Sequence, residues 1–107
     1  MSEQASQFAN LDGRVALVTG ASRGIGAAIA DALIAAGATV VGTATSEKGA
    51  SAIDERLGDQ GAGMALDVTD ADQVDAVIKE IESRFGSIGV LVNNAGITRD
   101  TLLMRMK

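Results

Sequence analysis

A glycine-rich segment, residues 18–26, has the residue types and spacing of a phosphate-binding loop. It follows the apolar run 15–18 and leads into a helical pattern of apolar residues: Ile25, Ile29, Leu33 and Ala36. The first N–H groups of a helix have no intrahelical partner and carry partial positive charge, so they bind phosphate. Gly20, Gly24 and Gly26 permit a tight turn, close approach of a pyrophosphate and close helix–strand packing. The segment predicts a dinucleotide-binding site.

Other proteins use similar glycine turns, so the loop alone leaves alternatives. It is not a Walker A loop, because Gly26 is followed by Ala27 and Ala28 rather than by Lys and Ser or Thr. Methyltransferases and flavoproteins use related turns, and the glycines could serve chain turning only. Strand, loop and helix in the required order favour nucleotide binding.

The residues at the end of the second apolar run indicate whether the site prefers NAD or NADP. An NAD site places an acidic residue there to accept from the ribose 2′-OH. Here residues 42–46 contain no acid before Glu47, so Thr45 leaves space for a 2′-phosphate, and Arg23 can supply charge-assisted hydrogen bonds. NADP is therefore favoured over NAD. Alternatively, Arg23 is a solvated cation, and Thr45 or Ser46 caps a helix, which is compatible with phosphate contact.

Two further pairs of residues follow the third and fourth apolar runs. Asp67 can accept from the exocyclic amino group of adenine while Val68 covers an edge of the ring; alternatively, Asp67 caps the next turn through its own backbone. Asn93 and Asn94 can tie neighbouring strand ends together, Asn93 in a structural role and Asn94 as a contact to ribose. The small residues that follow, Ala95 and Gly96, let a cofactor approach the backbone.

The elements that position these residues alternate regularly. Strand-like runs at residues 14–19, 39–43, 63–68 and 88–93 lack polar alternation, as is typical of strands covered on both faces. Amphipathic helical stripes lie between them: Ala50, Ile53 and Leu57, then Val74, Val77, Ile78, Ile81 and Phe85. This alternation predicts an α/β fold with a parallel, doubly wound sheet of the Rossmann type. Ligands of such sheets bind beyond the carboxyl ends of the strands, where all four candidate segments lie.

Short motifs set the expected helix ends. Gly37, Gly58 and Gly86 stand where helices end, and Thr69 with Asp72 resembles a capping box.

Composition excludes several classes of function. The 107 residues carry a net charge of −5, which argues against nucleic acid or anionic membranes as general partners. No His or Cys is present, which excludes His-based proton transfer, thiol chemistry and the usual zinc sites, so no metal ligands are assigned. Residues 1–10 lack secretion and transit signals and are expected to form a mobile tail, with Phe8 or Leu11 folding back onto the sheet. A cytoplasmic protein is expected.

Residues 19–26 together with Asn93-Asn94-Ala95-Gly96 resemble the signatures of the classical short-chain dehydrogenase/reductase family. Residues 42–46 and 94–107 are similar in particular to its members that act in bacterial fatty-acid synthesis on 3-oxoacyl chains carried by acyl carrier protein. The likeness covers nearly all of the chain after Leu11.

The resemblance implies a cofactor site for NADPH and a reduction that it serves. The implied NADPH contacts are Gly20, Ala21, Ser22, Arg23, Gly24, Ile25 and Gly26 in the loop, with Thr45 near the 2′-phosphate. Asp67 and Val68 would lie at adenine, and Asn94, Ala95, Gly96 and Ile97 beside the ribose and nicotinamide half. The complete protein would reduce a 3-oxoacyl thioester to the 3-hydroxyacyl product and form a homo-oligomer, a tetramer by resemblance.

The sequence also departs from the family pattern. Family members use a Tyr acid, a Lys and an orienting Ser from a downstream segment, yet no Tyr is present and Lys107 lacks that context. No catalytic residue is therefore assigned, and residues 11–107 are interpreted as an NADP-binding Rossmann half-domain, truncated before the catalytic segment and inactive alone. General-acid assistance typically contributes about 10²–10⁴-fold to rate.

Two alternatives and one consequence follow. The chain could instead be a non-enzymatic NADP-binding module or a subunit completed by another chain; a methyltransferase is disfavoured, because no ribose-binding acid lies in residues 42–46.

In the doubly wound order the first and fourth strands are neighbours, which leaves the strand at 88–93 on an open edge. We therefore expect the 107 residues alone to self-associate, to swap domains or to be poorly soluble.

Overall fold

A computed structural model describes residues 11–22 and 24–94 of the chain. Four parallel strands form one sheet: β1 (Val15–Thr19), β2 (Thr39–Ala44), β3 (Gly61–Ala65) and β4 (Ile88–Asn93). Three helices connect them: α1 (Gly24–Ala35), α2 (Glu47–Leu57) and α3 (Ala71–Phe85), with a short 3₁₀ turn at Gly58–Gln60 before β3. No helix in these residues is long and apolar enough to cross a bilayer.

The strand order is β3-β2-β1-β4. β1 pairs in parallel with β2 and with β4, and β2 pairs with β3. The sheet confirms the predicted doubly wound α/β fold, with the first and fourth strands adjacent and the second and third outward on one side.

The third strand lies earlier in the chain than the predicted run of residues 63–68. It begins at Gly61, where the extended backbone leaves the 3₁₀ turn, and it ends at Ala65. Leu66 still donates from its backbone N–H to the Ala44 carbonyl at 2.8 Å, but the chain then turns at Asp67, whose carbonyl accepts from Asp70 N at 3.0 Å. The turn places the Asp67 side chain beyond the sheet edge rather than within a strand.

The two faces of the sheet have different cores. α1 and α2 cover one face, where small residues such as Ala16, Ala30 and Ala38 pack with Val18, Val40 and Ile53. α3 covers the other face, where Leu17, Val41, Met64 and Ile81 form the centre. Leu11 packs against the first of these clusters and donates from its N–H to Ala36 O at 3.1 Å, as predicted; Phe8 and the tail lie outside the described residues.

The buried residues of the three helices can be compared with the apolar stripes predicted from the sequence. The stripe Ala50, Ile53 and Leu57 is buried, as are Val74, Ile78 and Ile81, whereas Val77 and Phe85 are half-buried. The predicted stripe of α1 is wrong at its first position, because Ile25 is 72% exposed. Gly26, Ala27 and Ala30 form the buried face of α1 instead, since only small residues allow the helix backbone to lie this close to the sheet.

The helix ends follow local hydrogen bonding. Gly58 and Gly86 cap α2 and α3 as predicted, and Gly37, at φ +101°, follows the last turn of α1 and donates to Ile34 O at 2.9 Å. The predicted capping box at Thr69 is wrong. Asp70 is the N-cap of α3, and its carboxylate accepts from the N–H groups of Asp72 and Gln73. The hydroxyl and the N–H of Thr69 instead both donate to Asp67.

Candidate cofactor site

The glycine-rich loop joins β1 to α1, and its glycines meet different structural requirements. Gly20 and Gly24 have φ angles of +66° and +65°, in the left-handed region where residues that carry a Cβ are strained. At Gly26 the requirement is space, because an added Cβ would lie 2.1 Å from the Gly20 carbonyl oxygen. An added Cβ at Gly24, by contrast, would meet nothing within 4 Å among the described residues. The start of α1 is therefore tightly packed at Gly26, against the loop backbone, and open at Gly24.

A buried hydroxyl holds the ends of β1 and β4 together. Thr19 is fully buried, and its Oγ1 donates to Asn93 Oδ1 at 3.1 Å and accepts from the Asn94 N–H at 3.0 Å. The Asn94 side chain continues the link, since Nδ2 donates to the Gly20 carbonyl at 3.1 Å. Both asparagines therefore tie strand ends together, as predicted for the pair, and Asn94 does so while remaining exposed.

The same edge is linked across to β2 and β3. The backbone N–H of Ala21, which is buried, donates to Thr43 O at 2.9 Å, and the Leu66 N–H bonds the Ala44 carbonyl. With the Thr19 and Asn94 bonds, these contacts connect the carboxyl ends of all four strands in one hydrogen-bonded row. The hydrogen bonds of this row hold the candidate site in shape.

Thr45 and Ser46 differ in what they can offer at the end of β2. Ser46 is the N-cap of α2, and its Oγ accepts from the Gly49 N–H at 3.0 Å. Thr45, one residue earlier, is exposed and does not serve as the cap. Of the two predicted capping candidates, Ser46 is the cap, which leaves Thr45 as the hydroxyl that can contact a ligand.

Asp67 lies beyond the end of β3 with one carboxylate oxygen engaged. Its Oδ1 accepts from Thr69 Oγ1 at 2.5 Å and from Thr69 N at 3.0 Å. These two bonds, the hydroxyl first, hold the pKa of the Asp67 carboxyl below its ordinary value, so the group is an ionised acceptor. The predicted turn-capping role of Asp67 is thus present in the structure. It is compatible with a ligand contact, because the side chain is exposed.

Val68 has less to offer a ligand than its sequence position suggests. Its side chain is only 8% exposed and packs with Leu66, Val74 and Ile78 under α3. A ring lying against this segment would meet the backbone and a narrow edge of the side chain.

The other predicted site residues divide into those that the structure describes and those that it does not. Ser22 lies exposed in the loop, and Ile25 projects from the first turn of α1. Arg23, Ala95, Gly96 and Ile97 lie outside the described residues, so their roles stay predictions.

Sequence reasoning missed two residues of this edge. Thr19 has no role in the sequence analysis beyond its place in the loop motif; the only signal was the predicted strand order, which puts the end of β1 next to the asparagine pair. Gln73 accepts from the Asp67 N–H at 3.0 Å, and nothing in the sequence distinguishes it from any other polar residue in a first helical turn.

The start of α1 and the neighbouring strand ends combine features that phosphate binding requires. Gly26 packs closely under the Gly20 carbonyl, and an added Cβ at Gly24 meets no atom of the described residues within 4 Å. The first N–H groups of a helix have no intrahelical partner, which makes such an open helix start suitable for phosphate. Hydroxyl, carboxylate and carboxamide groups lie at the ends of the neighbouring strands.

Comparison with known proteins identifies the family. The family model for short chain dehydrogenases matches residues 14–107, and the chain belongs to that family. Membership implies a nicotinamide cofactor.

Individual relatives are more specific. The chain is 64% identical over 98 residues to the 3-oxoacyl-[acyl-carrier-protein] reductase FabG of Vibrio harveyi, covering 92% of this chain and 40% of that protein. It is 60% identical over 98 residues to the reductase of the same name from Escherichia coli, with the same coverage. It is 55% identical over 101 residues to that of Pseudomonas aeruginosa, covering 92% of this chain and 41% of the relative. The chain thus spans about two fifths of the length of the relatives it matches.

Proposed function

We propose that this chain supplies the NADPH-binding part of a reductase that converts 3-oxoacyl-acyl-carrier-protein to the 3-hydroxyacyl form in fatty-acid synthesis. The observation that carries the proposal is the hydrogen-bonded row of strand ends beside the open start of α1. The printed names of the relatives support the substrate class. An acyl-carrier-protein partner, the homotetramer of the complete enzyme and a cytoplasmic location are parts of the same proposal.

Each residue has a proposed place in this site. The backbone at Gly20, Ala21, Ser22, Gly24, Ile25 and Gly26 would hold the pyrophosphate, and Asp67 with the Val68 backbone would contact adenine. Thr45 and Arg23 would bind the 2′-phosphate, and Asn94, Ala95, Gly96 and Ile97 would lie beside the nicotinamide ribose. When bound, the cofactor supplies a hydride; this segment holds and orients it, and its 107 residues contain no Tyr to protonate the product alkoxide.

Calorimetric titration of the full chain tests the proposal directly. We expect NADPH to bind more tightly than NADH, and S-adenosylmethionine not to bind. In Arg23→Ala, the affinity for NADPH should fall about tenfold, because one charge-assisted hydrogen bond is lost, while the affinity for NADH stays nearly constant. Equal affinity of the wild-type chain for NADPH and NADH would contradict the roles of Arg23 and Thr45.

Turnover separates the enzyme from a binding module. The chain alone should not reduce a 3-oxoacyl thioester, and turnover should appear when a segment bearing the downstream Tyr and Lys is supplied. Nucleotide-dependent binding of a partner without hydride transfer would instead indicate a non-enzymatic module.

A further inference from the structure

The side chain of Gln73 joins the end of β3 to the start of α3. Its Oε1 accepts from the Asp67 N–H at 3.0 Å, and its Nε2 donates to Asp70 Oδ2 at 3.2 Å. The two partners determine which way the carboxamide points, because a backbone N–H requires an acceptor and a carboxylate requires a donor. Gln73 therefore fixes the Asp67 backbone against the N-cap of α3 in a single orientation.

The Asp67 carboxylate is fixed on one oxygen only. Both bonds from Thr69 end on Oδ1, and within the described residues Oδ2 has no hydrogen-bond partner. Since the group is ionised, Oδ2 can only accept. A base bearing an exocyclic amino group satisfies such an oxygen, whereas a base with a carbonyl at that position places two acceptors together.

We propose that Gln73 is a positioning residue that holds Asp67 so that Oδ2 discriminates 6-aminopurine from 6-oxopurine dinucleotides. This inference rests on the proposed function, in which Asp67 contacts adenine. Gln73 itself need not touch the ligand: its acceptor oxygen keeps the Asp67 main chain in place, and Thr69 then orients the carboxylate.

The test compares NADPH with the reduced nicotinamide hypoxanthine dinucleotide phosphate by titration of the full chain. The wild-type chain should bind NADPH about tenfold more tightly, the value expected for a hydrogen bond to a charged group at an exposed site. Gln73→Met removes both bonds at nearly constant size and should reduce this preference to about twofold. Gln60→Met makes the same replacement in the 3₁₀ turn, at the opposite end of β3, and should leave the preference unchanged.

Two further measurements separate positioning from general loss of structure. Gln73→Glu retains an acceptor oxygen toward the Asp67 N–H but loses the donor to Asp70 and repels its carboxylate, so it should restore part of the preference that Gln73→Met loses; its added charge acts equally on both dinucleotides. Hydrogen exchange of the Asp67 amide should be slow in wild type and Gln73→Glu and fast in Gln73→Met.

Different results overturn different claims. A wild-type chain that bound neither dinucleotide would overturn the proposed function and this inference with it. Tight NADPH binding with undiminished preference in Gln73→Met, equal loss in Gln73→Glu, or an Asp67 amide that exchanges equally slowly in Gln73→Met would overturn the inference alone.

Discussion

At the residue scale, the glycines of the loop are present for two different physical reasons. Gly24 needs its positive φ and has open space around it, whereas Gly26 has no room for a Cβ beneath the Gly20 carbonyl. The glycine spacing predicted a tight turn and close helix–strand packing, and the structure shows that Gly24 meets the first requirement and Gly26 the second. That distinction depends on where another segment's backbone lies.

Alanine substitutions should separate the two reasons. Gly24→Ala should lower the free energy of unfolding by about 1–2 kcal/mol, the cost of a left-handed conformation in a residue with a Cβ. Gly26→Ala should cost about 3 kcal/mol, because the loop backbone must move. Urea unfolding measures both.

Gly13→Ala is the matched control for strain alone. Gly13 has φ +80° and open space, and it lies at the opposite end of β1. It should behave like Gly24→Ala in stability. A Gly26→Ala loss no greater than these two would contradict the crowding argument.

The roles of polar side chains that hydrogen-bond other site residues, rather than a ligand, were the hardest to predict. Asp67 could be predicted because it follows an apolar run directly, and so could the asparagine pair. Thr19 and Gln73 bond residues whose positions depend on the turn after β3 or on the pairing of β1 with β4. One sequence does not encode those neighbours in any local pattern.

At the element scale, α2 lies unusually close to the outer strand β3. An added Cβ at Gly63 would lie 2.0 Å from the Ala50 carbonyl oxygen. From this helix Asp54 Oδ1 accepts the outward N–H of Gly63 at 3.1 Å. Unpaired N–H groups on an edge strand are a template for pairing with another chain, so Asp54 shields part of this edge.

Removing this shield should have two effects. Asp54→Ala should lower the free energy of unfolding by about 1 kcal/mol, the typical net value of one hydrogen bond, and increase self-association. Asp54→Asn keeps an acceptor and should change neither property much.

Glu55→Ala controls for the loss of one exposed acid on the same helix. Urea unfolding and sedimentation velocity at several concentrations measure the two effects. If Glu55→Ala and Asp54→Ala behaved identically, net charge rather than edge shielding would be responsible.

The accuracy of the sequence predictions differed among the elements. Helix stripes in α2 and α3 were predictable because large apolar residues recur at helical spacing on a polar background. α1 is apolar almost throughout, so its periodicity could not show that the alanine side, rather than Ile25, faces the sheet. The α3 cap was misplaced by one residue, because Thr and Asp are both good caps and only the turn decides between them.

At the scale of the whole molecule, the sheet is unequally protected at its two edges. The edge strand β3 is buried at every second residue, whereas the edge strand β4 is half-buried or exposed at every residue. In residues 11–22 and 24–94, β4 pairs with β1 alone. The order of the strands was predictable from alternation and handedness, and it places this apolar strand at an edge.

The predicted self-association of the 107-residue chain can be measured by light scattering over a range of concentration. We expect species larger than the monomer, because Val90, Leu91 and Val92 form an apolar run on a strand that pairs on one side only within residues 11–22 and 24–94. Gly89→Glu places a charge on the strand and should reduce association; an added Cβ there meets Arg14 at an ordinary 3.6 Å.

Ser87→Glu adds the same charge just before β4 and should have a smaller effect. A strictly monomeric wild-type chain at high concentration would refute the prediction.

The hydrogen bonds that connect the four strand ends involve different groups from those available to select a nucleotide. The row consists of main-chain groups, one buried hydroxyl and two carboxamides, whereas Thr45 and the outer oxygen of Asp67 lie outside it. Substitutions at those outlying positions can therefore alter which nucleotide is preferred without loosening the scaffold. In such an arrangement, nucleotide preference can change through substitutions at single strand ends while the hydrogen-bonded framework stays intact.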